Sequence, residues 1–295
     1  MLPNFIIIGA AKAGTTALYK YLQQHPDIFM SRVKETNHFA FRDTPPNFQG
    51  PGDHPNAITS FDDYQALFQD ASGCKAIGEA SPMYLYKPEV AKRIKTVIPD
   101  VKLIVILRDP VERAYSAYNH LRRDGREPIG DFVTAVQEEE NRIKANWAPM
   151  WHYLSRGYYY QQLKPYLEQF DSNQLLILFH EDLDSDPQAT LQKVFRYLGV
   201  DDTFIPDTTI RHNVSGIPRS PKLHQFLTQS SFLKQMVRPM LPQKFRESTA
   251  AKVRERNLSK PSFPVSLRHE LQNQFKMDVK ALEKLAQRDL SSWLQ

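Results

Sequence analysis

The sequence predicts an α/β fold: a central, mainly parallel sheet of four or five strands with helices on both faces. Three apolar runs carry this prediction, at Phe5–Ile8, Val101–Leu107 and Leu175–Phe179. Each run is short and rich in Ile, Leu or Val, as expected of a buried parallel strand. After each run the apolar residues recur every three or four positions, which indicates a helix.

The remaining elements are predicted in chain order between these strands. Ile28–Met30 reads as a short extended piece, and Lys75–Tyr84 as a strand that leads into a turn. A helix over Pro88–Val97 completes a right-handed β-α-β crossover. A Glu- and Arg-rich helix over Gly130–Asn146 is expected to be solvated on its charged face. The other predicted helices are Phe61–Phe68, Pro110 to about Arg123, Arg156–Phe170, Asp186–Leu198 and Leu267–Leu285.

The loop after the first strand is the strongest sign of a binding site. Residues 9–16 nearly fit the P-loop pattern G-x-x-x-x-G-K-[ST], but Thr15 stands where the lysine belongs and a lysine occurs earlier, at Lys12. A strand, a small-residue loop and a helix direct backbone N–H groups and the helix dipole at one point, which favours an anion. The early lysine suits a short anion, such as a 5′-phosphate that carries a transferable group. A plain turn with Lys12 in solvent is the alternative interpretation.

A second motif follows the strand over Val101–Leu107. The strand ends in Arg108, Pro110 is well placed to open the next helix, and Ser116 lies two turns into it. An arginine and a serine so placed can hold a second phosphate, the arginine in bidentate fashion. If the two strands are neighbours, both phosphate sites share one crevice at the carboxyl edge of the sheet.

The segments G-A-A-K-A-G-T-T-A-L and L-R-D-P-x-E-R-x-x-S-x-Y together resemble the sulfotransferases that use 3′-phosphoadenosine 5′-phosphosulfate (PAPS). The resemblance is closest to the bacterial and heparan-sulfate-type branch and runs from Phe5 to about Leu198. A weaker similarity continues to Trp293. It implies a P-loop-like single domain. It also implies that the 5′-phosphosulfate is held by Lys12, Ala13, Gly14, Thr15 and Thr16, and the 3′-phosphate by Arg108 and Ser116.

The same resemblance suggests the catalytic base. The segment Lys34-Glu35-Thr36-Asn37-His38-Phe39 matches the family pattern K-E-x-x-[HF]-F, whose acidic residue removes the proton of the acceptor hydroxyl. Glu35 is therefore the first candidate and His38 the second. The alternative is that Lys34 and Glu35 form an exposed charge pair while His38 packs among aromatic rings.

Three further ligand candidates come from later segments. Tyr158 is expected beside the adenine or the acceptor, and a late loop implies Arg219 and Lys222 as phosphate ligands. In the E-x-[ST]-P-x-Y element, Glu79 either orients a catalytic group or is a structural hydrogen-bond acceptor. Ala80 departs from the lysine of many heparan-sulfate enzymes, which argues against a highly sulfated acceptor.

Composition sets the remaining limits. The 295 residues are enough for one large α/β domain or two small domains. We predict a single domain, with a nucleotide-binding core at 1–200 and a cofactor-covering loop and C-terminal helices at 201–295. The net charge of +5 fits an anionic cofactor but is too small to indicate nucleic-acid binding. A single cysteine, Cys74, with no signal peptide and no membrane-spanning run, predicts a cytoplasmic protein. No metal-binding motif is present.

The function predicted from these residues is transfer of a sulfonate group from PAPS to an acceptor hydroxyl, with 3′,5′-ADP as the product. The acceptor is a carbohydrate, a lipid or a natural-product chain, and the sequence does not choose among them. A P-loop kinase, a non-catalytic nucleotide-binding module and a polyanion-binding protein are the other classes. The kinase would need a lysine at Thr15 and a magnesium-binding aspartate after a strand. The sequence does not indicate the oligomeric state.

Overall fold

A five-stranded parallel sheet organises the molecule. The computed structural model describes residues 1–51, 56–209, 217–218, 258–259, 263 and 265–295. The strands are β1 (Phe5–Gly9), β2 (Ile28–Met30), β3 (Ala76–Ala80), β4 (Lys102–Leu107) and β5 (Leu175–Phe179). Their order is β2-β3-β1-β4-β5, and all four pairings are parallel. Separately, Ile217–Pro218 (β6) pairs antiparallel with Leu258–Ser259 (β7).

Helices cover both faces of this sheet. Over the described ranges they are α1 (Thr15–Leu22), α2 (His38–Phe41), α3 (Phe61–Ala66), α4 (Glu89–Val97), α5 (Pro110–Arg123), α6 (Phe132–Gln137), α7 (Glu139–Lys144), α8 (Tyr159–Gln169), α9 (His180–Ser185), α10 (Pro187–Leu198) and α11 (Val265–Ala286). Short 3-10 turns occur at Pro149–Trp151, Ser155–Gly157, Ser172–Gln174 and Ser291–Leu294.

Alternate residues of the strands pack into two separate hydrophobic cores, one on each face of the sheet. Ile6 and Ile8 of β1 pack into a core shared with α4, α5, α8 and α11. Phe5 and Ile7 point the opposite way, into a core shared with α1 and α10. All four side chains are fully buried, and each such apolar side chain contributes about 1.5–3 kcal/mol relative to exposure. The predicted α/β class, with a parallel sheet between two helical layers, is confirmed.

The helix after β4 begins where the sequence predicts. The Asp109 carboxylate accepts hydrogen bonds from the N–H groups of Val111 at 2.8 Å and Glu112 at 3.3 Å, and Pro110 occupies the first helical position. These two features fix the start of α5, because they satisfy or remove the N–H groups that lack partners at a helix N-terminus. Arg108 is thereby held at the end of β4.

The single helix predicted over Gly130–Asn146 is wrong. Two short helices, α6 and α7, meet at Glu138, and the expected solvated face is partly buried. Charged side chains of this segment are buried in tertiary contacts: the buried Glu127 carboxylate accepts from both terminal nitrogens of Arg142, at 2.8 and 2.9 Å. The Glu139 carboxylate is also buried and accepts from the Ser155 N–H at 2.8 Å.

The C-terminal residues pack on the sheet-containing core. Helix α11 lies against α8 and α5, and the Trp293 indole donates to a Glu181 carboxylate oxygen at 3.2 Å. Within the described part of the chain, no helix combines the length and the apolar character needed to span a membrane. The proposed division at residue 200 stays a prediction.

Candidate active site

A cleft of about 980 Å³ lies at the carboxyl edge of the sheet, where α/β folds bind ligands. Its volume is within the range of small-molecule sites. We divide its lining residues into two sets, named for the sulfonate donor and the acceptor that the sequence predicts. The donor wall consists of Lys12, Gly14, Thr15, Thr16, Arg108 and Ser116, and the acceptor wall of Glu35, Pro82, Met83, Met150 and Arg156.

The loop between β1 and α1 forms one end of the donor wall. Gly14 has φ +107° and lies so close to His180 that an added Cβ would be 3.1 Å from the Nδ1 atom. Only glycine suits this position. The N–H groups of the first turn of α1 have no acceptor within the helix, and no acidic side chain lies in that turn. An anion is therefore favoured beside Thr15 and Thr16.

Ala13 does not face the cleft, unlike its neighbours Lys12 and Gly14. It is fully buried, it does not line the cleft, and its N–H donates to the Ala10 carbonyl oxygen at 3.2 Å. Its N–H is thus engaged within the loop. Ala13 supports the shape of the loop and is not placed as a ligand.

Lys12 faces the cleft from the same loop. Burial, and secondly the nearby Arg123, lower the pKa of Lys12 to about 8. No carboxylate forms an ion pair with it among the residues that the structure describes. A partly buried ammonium group without such a partner is stabilised by a bound anion.

The two phosphate motifs meet across the cleft. An Nη atom of Arg108 lies 3.5 Å from the carbonyl oxygen of Lys12, as expected because β1 and β4 are neighbours in the sheet. The other Nη atom of Arg108 is 3.5 Å from a Glu112 carboxylate oxygen. The Tyr159 hydroxyl donates to the Arg108 carbonyl oxygen at 2.8 Å and fixes the backbone there. Ser116 is buried on α5 and also lines the cleft.

Glu35 lies on the opposite wall. Its N–H donates to the Ala80 carbonyl oxygen at 2.8 Å, which ties the segment after β2 to the end of β3. Its backbone has φ +63°, and its carboxylate is half-exposed and pairs with the Lys34 ammonium group. The carboxylate is accessible, and Glu35 lines the cleft.

A buried carboxylate, Glu79, holds the segment that carries Glu35. It is fully buried, and burial raises its pKa. Four hydroxyl groups donate to it: Thr36 at 2.8 Å, Ser81 at 2.6 Å, Tyr84 at 2.8 Å and Tyr64 at 3.1 Å. Since Thr36 directly follows Glu35, Glu79 acts as the hydrogen-bond acceptor that fixes this segment on β3.

Besides Ala13, two further predicted residues do not line the cleft. His38 is fully buried, its ring stacks on Tyr64 at 4.3 Å, and its Nδ1 atom lies 2.8 Å from the Ile58 carbonyl oxygen. This is the aromatic packing that the sequence offered as the alternative. Tyr158 is absent from the lining residues and its ring lies against Phe275. The predicted ligands Arg219 and Lys222 lie outside the described residues.

Sequence reasoning missed other residues that line the cleft. His120 lies one helical turn beyond Ser116, and burial, followed by the charge of Lys12, lowers the pKa of His120 to about 4. The i, i+4 spacing from Ser116 would have placed it on the same face of α5. Arg113 and Arg156 also line the cleft, and no spacing in the sequence marks Arg156.

The fold and the cleft define a class: an α/β protein whose cleft at the carboxyl edge of the sheet is lined by Lys12, Arg108 and the carboxylate of Glu35. Comparison with known proteins gives the family. The chain matches the sulfotransferase domain family over residues 2–286 and belongs to it. The predicted family and the predicted enzyme class, a sulfotransferase, are therefore confirmed.

Individual relatives agree with this assignment. The chain is 31% identical over 212 residues to the mouse bifunctional heparan sulfate N-deacetylase/N-sulfotransferase 4, covering 68% of the chain and 22% of the relative. It is 31% identical over 200 residues to the mouse heparan sulfate glucosamine 3-O-sulfotransferase 3B1, covering 68% and 46%. The chain thus spans less than half the length of either. A crystal structure of a sulfotransferase from Alicyclobacillus acidocaldarius is 35% identical, covers both chains fully and superposes with a TM-score of 0.78.

Proposed function

We propose that this sulfotransferase moves a sulfonate group from PAPS to an acceptor hydroxyl and releases 3′,5′-ADP. The observation that carries the proposal is the contact between Arg108 and Lys12, which brings the two anion-binding motifs to one cleft opposite Glu35. PAPS has a 5′-phosphosulfate and a 3′-phosphate, so a site with two separate cationic centres suits it.

The residues of the donor wall fit such a ligand. In this proposal the N–H groups at the start of α1, with Thr15 and Thr16, hold the 5′-phosphate, which the free N–H groups of a helix N-terminus favour. Arg108 and Ser116 hold the 3′-phosphate, because a guanidinium group binds phosphate with two parallel hydrogen bonds. The 3′-phosphate also separates PAPS from ATP, so these two residues would determine which nucleotide binds.

Each of three residues in or beside the cleft has a separate role in the proposed reaction. The bound donor supplies the sulfonate group. Glu35 accepts the proton of the acceptor hydroxyl as its oxygen attacks sulfur, a role for which an accessible carboxylate on the facing wall is suited. Lys12 neutralises the negative charge that develops on the leaving phosphate oxygen. Glu79 keeps the Glu35 segment in place through Thr36.

The acceptor stays a hydroxyl compound of carbohydrate, lipid or natural-product type. Two relatives are named for heparan sulfate, which favours a carbohydrate, whereas Ala80 replaces the lysine of many such enzymes. A cytoplasmic location and independence from metal ions stay predictions from the sequence.

Calorimetric titration of the purified protein tests the proposal. We expect micromolar or tighter binding of 3′,5′-ADP and little binding of ATP with magnesium. The reverse preference would indicate a kinase. Incubation with ³⁵S-labelled PAPS and pools of carbohydrates, lipids and hydroxylated natural products then separates an enzyme from a binding module. Tight binding of 3′,5′-ADP with no labelled product from any pool would favour the module.

A further inference from the structure

Two buried arginine side chains line the cleft and have no assigned role. Arg113 of α5 is 1% exposed and Arg156, just before α8, is 8% exposed. We call them the guanidinium pair. They are close enough that the positive charge of Arg113 lowers the pKa of Arg156, after burial as the larger cause.

Neutral groups hold the guanidinium pair in place. Arg156 donates to the carbonyl oxygens of Pro149 at 3.4 Å and Pro82 at 3.3 Å, and its guanidinium carbon lies 5.6 Å from the centre of the Tyr86 ring. Arg113 donates to the Tyr153 carbonyl oxygen. The Nε atom of Arg113 is buried and has no hydrogen-bond partner. The pair is therefore preorganised but incompletely satisfied.

No carboxylate within the described ranges forms an ion pair with either arginine. Burial is the largest influence on the pKa of Arg113 and lowers it, whereas the negative charge of Glu139 raises it. The Glu139 carboxylate, however, already accepts hydrogen bonds from Leu154 and Ser155. Two neighbouring buried cations without paired anions are unfavourable, because each has lost its hydration and the two charges repel one another. An oxyanion bound in the cleft would remove much of this cost.

The neighbours of Arg156 place it near Glu35. Glu35 raises the pKa of both Arg156 and Lys12, so its carboxylate lies within reach of each. Arg156 contacts Pro82 and lines the cleft with Met83 and Met150, on the acceptor wall. An anion at Arg156 would therefore be close to the carboxylate that receives the hydroxyl proton.

From this arrangement we infer that the guanidinium pair binds an anionic substituent, a carboxylate or a sulfate, on the acceptor and so holds its hydroxyl at Glu35. The inference rests on the proposed function, since it assigns the anion to the acceptor and not to the nucleotide. It narrows the acceptor to compounds that have an oxyanion near the reacting hydroxyl.

A crystal structure of the 3′,5′-ADP complex soaked in sodium selenate tests the inference. The nucleotide fills both phosphate positions, and the anomalous signal of selenium locates the added oxyanion. We expect a selenium peak within hydrogen-bond distance of the Arg156 guanidinium group. A peak only beside Lys12, or no peak in the cleft, would overturn the inference. Absence of the nucleotide itself would instead count against the proposed function.

Matched variants complete the test. Arg156→Gln should lose the selenate peak and keep its 3′,5′-ADP affinity within threefold. Arg156→Lys, which retains the charge, should keep a weaker peak. Arg196→Gln changes an exposed arginine of α10 and should leave the peak unchanged. Loss of 3′,5′-ADP binding by more than tenfold in a folded Arg156→Gln protein would place the arginine in the nucleotide site and contradict the inference.

Discussion

The two walls of the cleft are built in different ways. The donor wall comes from two continuous strand-loop-helix units, and its proposed anion-binding groups are backbone N–H groups and side chains that follow β1 or β4 directly in the chain, in the loop or the next helix. The acceptor wall comes from segments after β2, after β3 and before α8, tied together by buried polar contacts around Glu79 and Arg156. Local backbone geometry therefore positions the residues proposed to bind the donor, whereas tertiary hydrogen bonds position Glu35, the proposed base.

This difference predicts whether a substitution in each wall changes turnover or nucleotide affinity. Changes on the acceptor wall should alter turnover and leave nucleotide affinity almost unchanged. Changes on the donor wall should alter nucleotide affinity, except at Lys12, which acts mainly on the charge that develops during transfer.

The largest effect is expected for Glu35→Gln. The amide cannot accept the hydroxyl proton, so transfer should fall by about 10²–10⁴-fold while 3′,5′-ADP affinity changes less than twofold. Single-turnover assays with ³⁵S-labelled PAPS and calorimetry measure the two quantities. Glu168→Gln, at an exposed position of α8, is the control. Full activity of Glu35→Gln would assign the base to another group of the cleft, with His120 the next to test.

A somewhat smaller effect is expected for Lys12→Ala. Turnover should fall by about 10²–10³-fold, because the variant lacks the charge that stabilises the leaving oxygen. The affinity for 3′,5′-ADP, which has no sulfonate, should fall less than tenfold. Lys20→Ala, at an exposed lysine of the same helix region, should change neither value. Equal losses of turnover and affinity would show that Lys12 is only a binding group.

The lowered pKa of Lys12 predicts a pH dependence. Because its pKa is about 8, the ammonium group loses its proton as the pH rises above that value. The kcat/KM for the donor should therefore fall about tenfold per pH unit above pH 8, since this parameter reports the free enzyme. Lys12→Arg should lack this decrease in its residual activity, because guanidinium stays charged. A profile that is flat to pH 10 in the unaltered protein would contradict the role of Lys12.

The sequence could predict the donor wall because its signals are local. The strand-loop-helix patterns around Gly14 and Arg108 place both anion sites without knowledge of the rest of the chain, and β1 and β4 are indeed neighbours. Arg156 could not be found this way, because its place in the cleft depends on carbonyl groups 7 and 74 residues away. The burial of Arg142 was missed for the same reason, because its partner Glu127 lies outside the helical pattern.

The most direct test of the account is calorimetric titration of the protein with 3′,5′-ADP and with AMP, which differ only in the 3′-phosphate. Charge-assisted hydrogen bonds from Arg108 are worth about 1.5–3 kcal/mol, so AMP should bind about 10- to 100-fold more weakly. In Arg108→Ala this difference should largely disappear through loss of 3′,5′-ADP affinity alone. Equal affinities for the two nucleotides in the unaltered protein would contradict the assignment of the 3′-phosphate to Arg108 and Ser116, and with it the choice of PAPS as the donor.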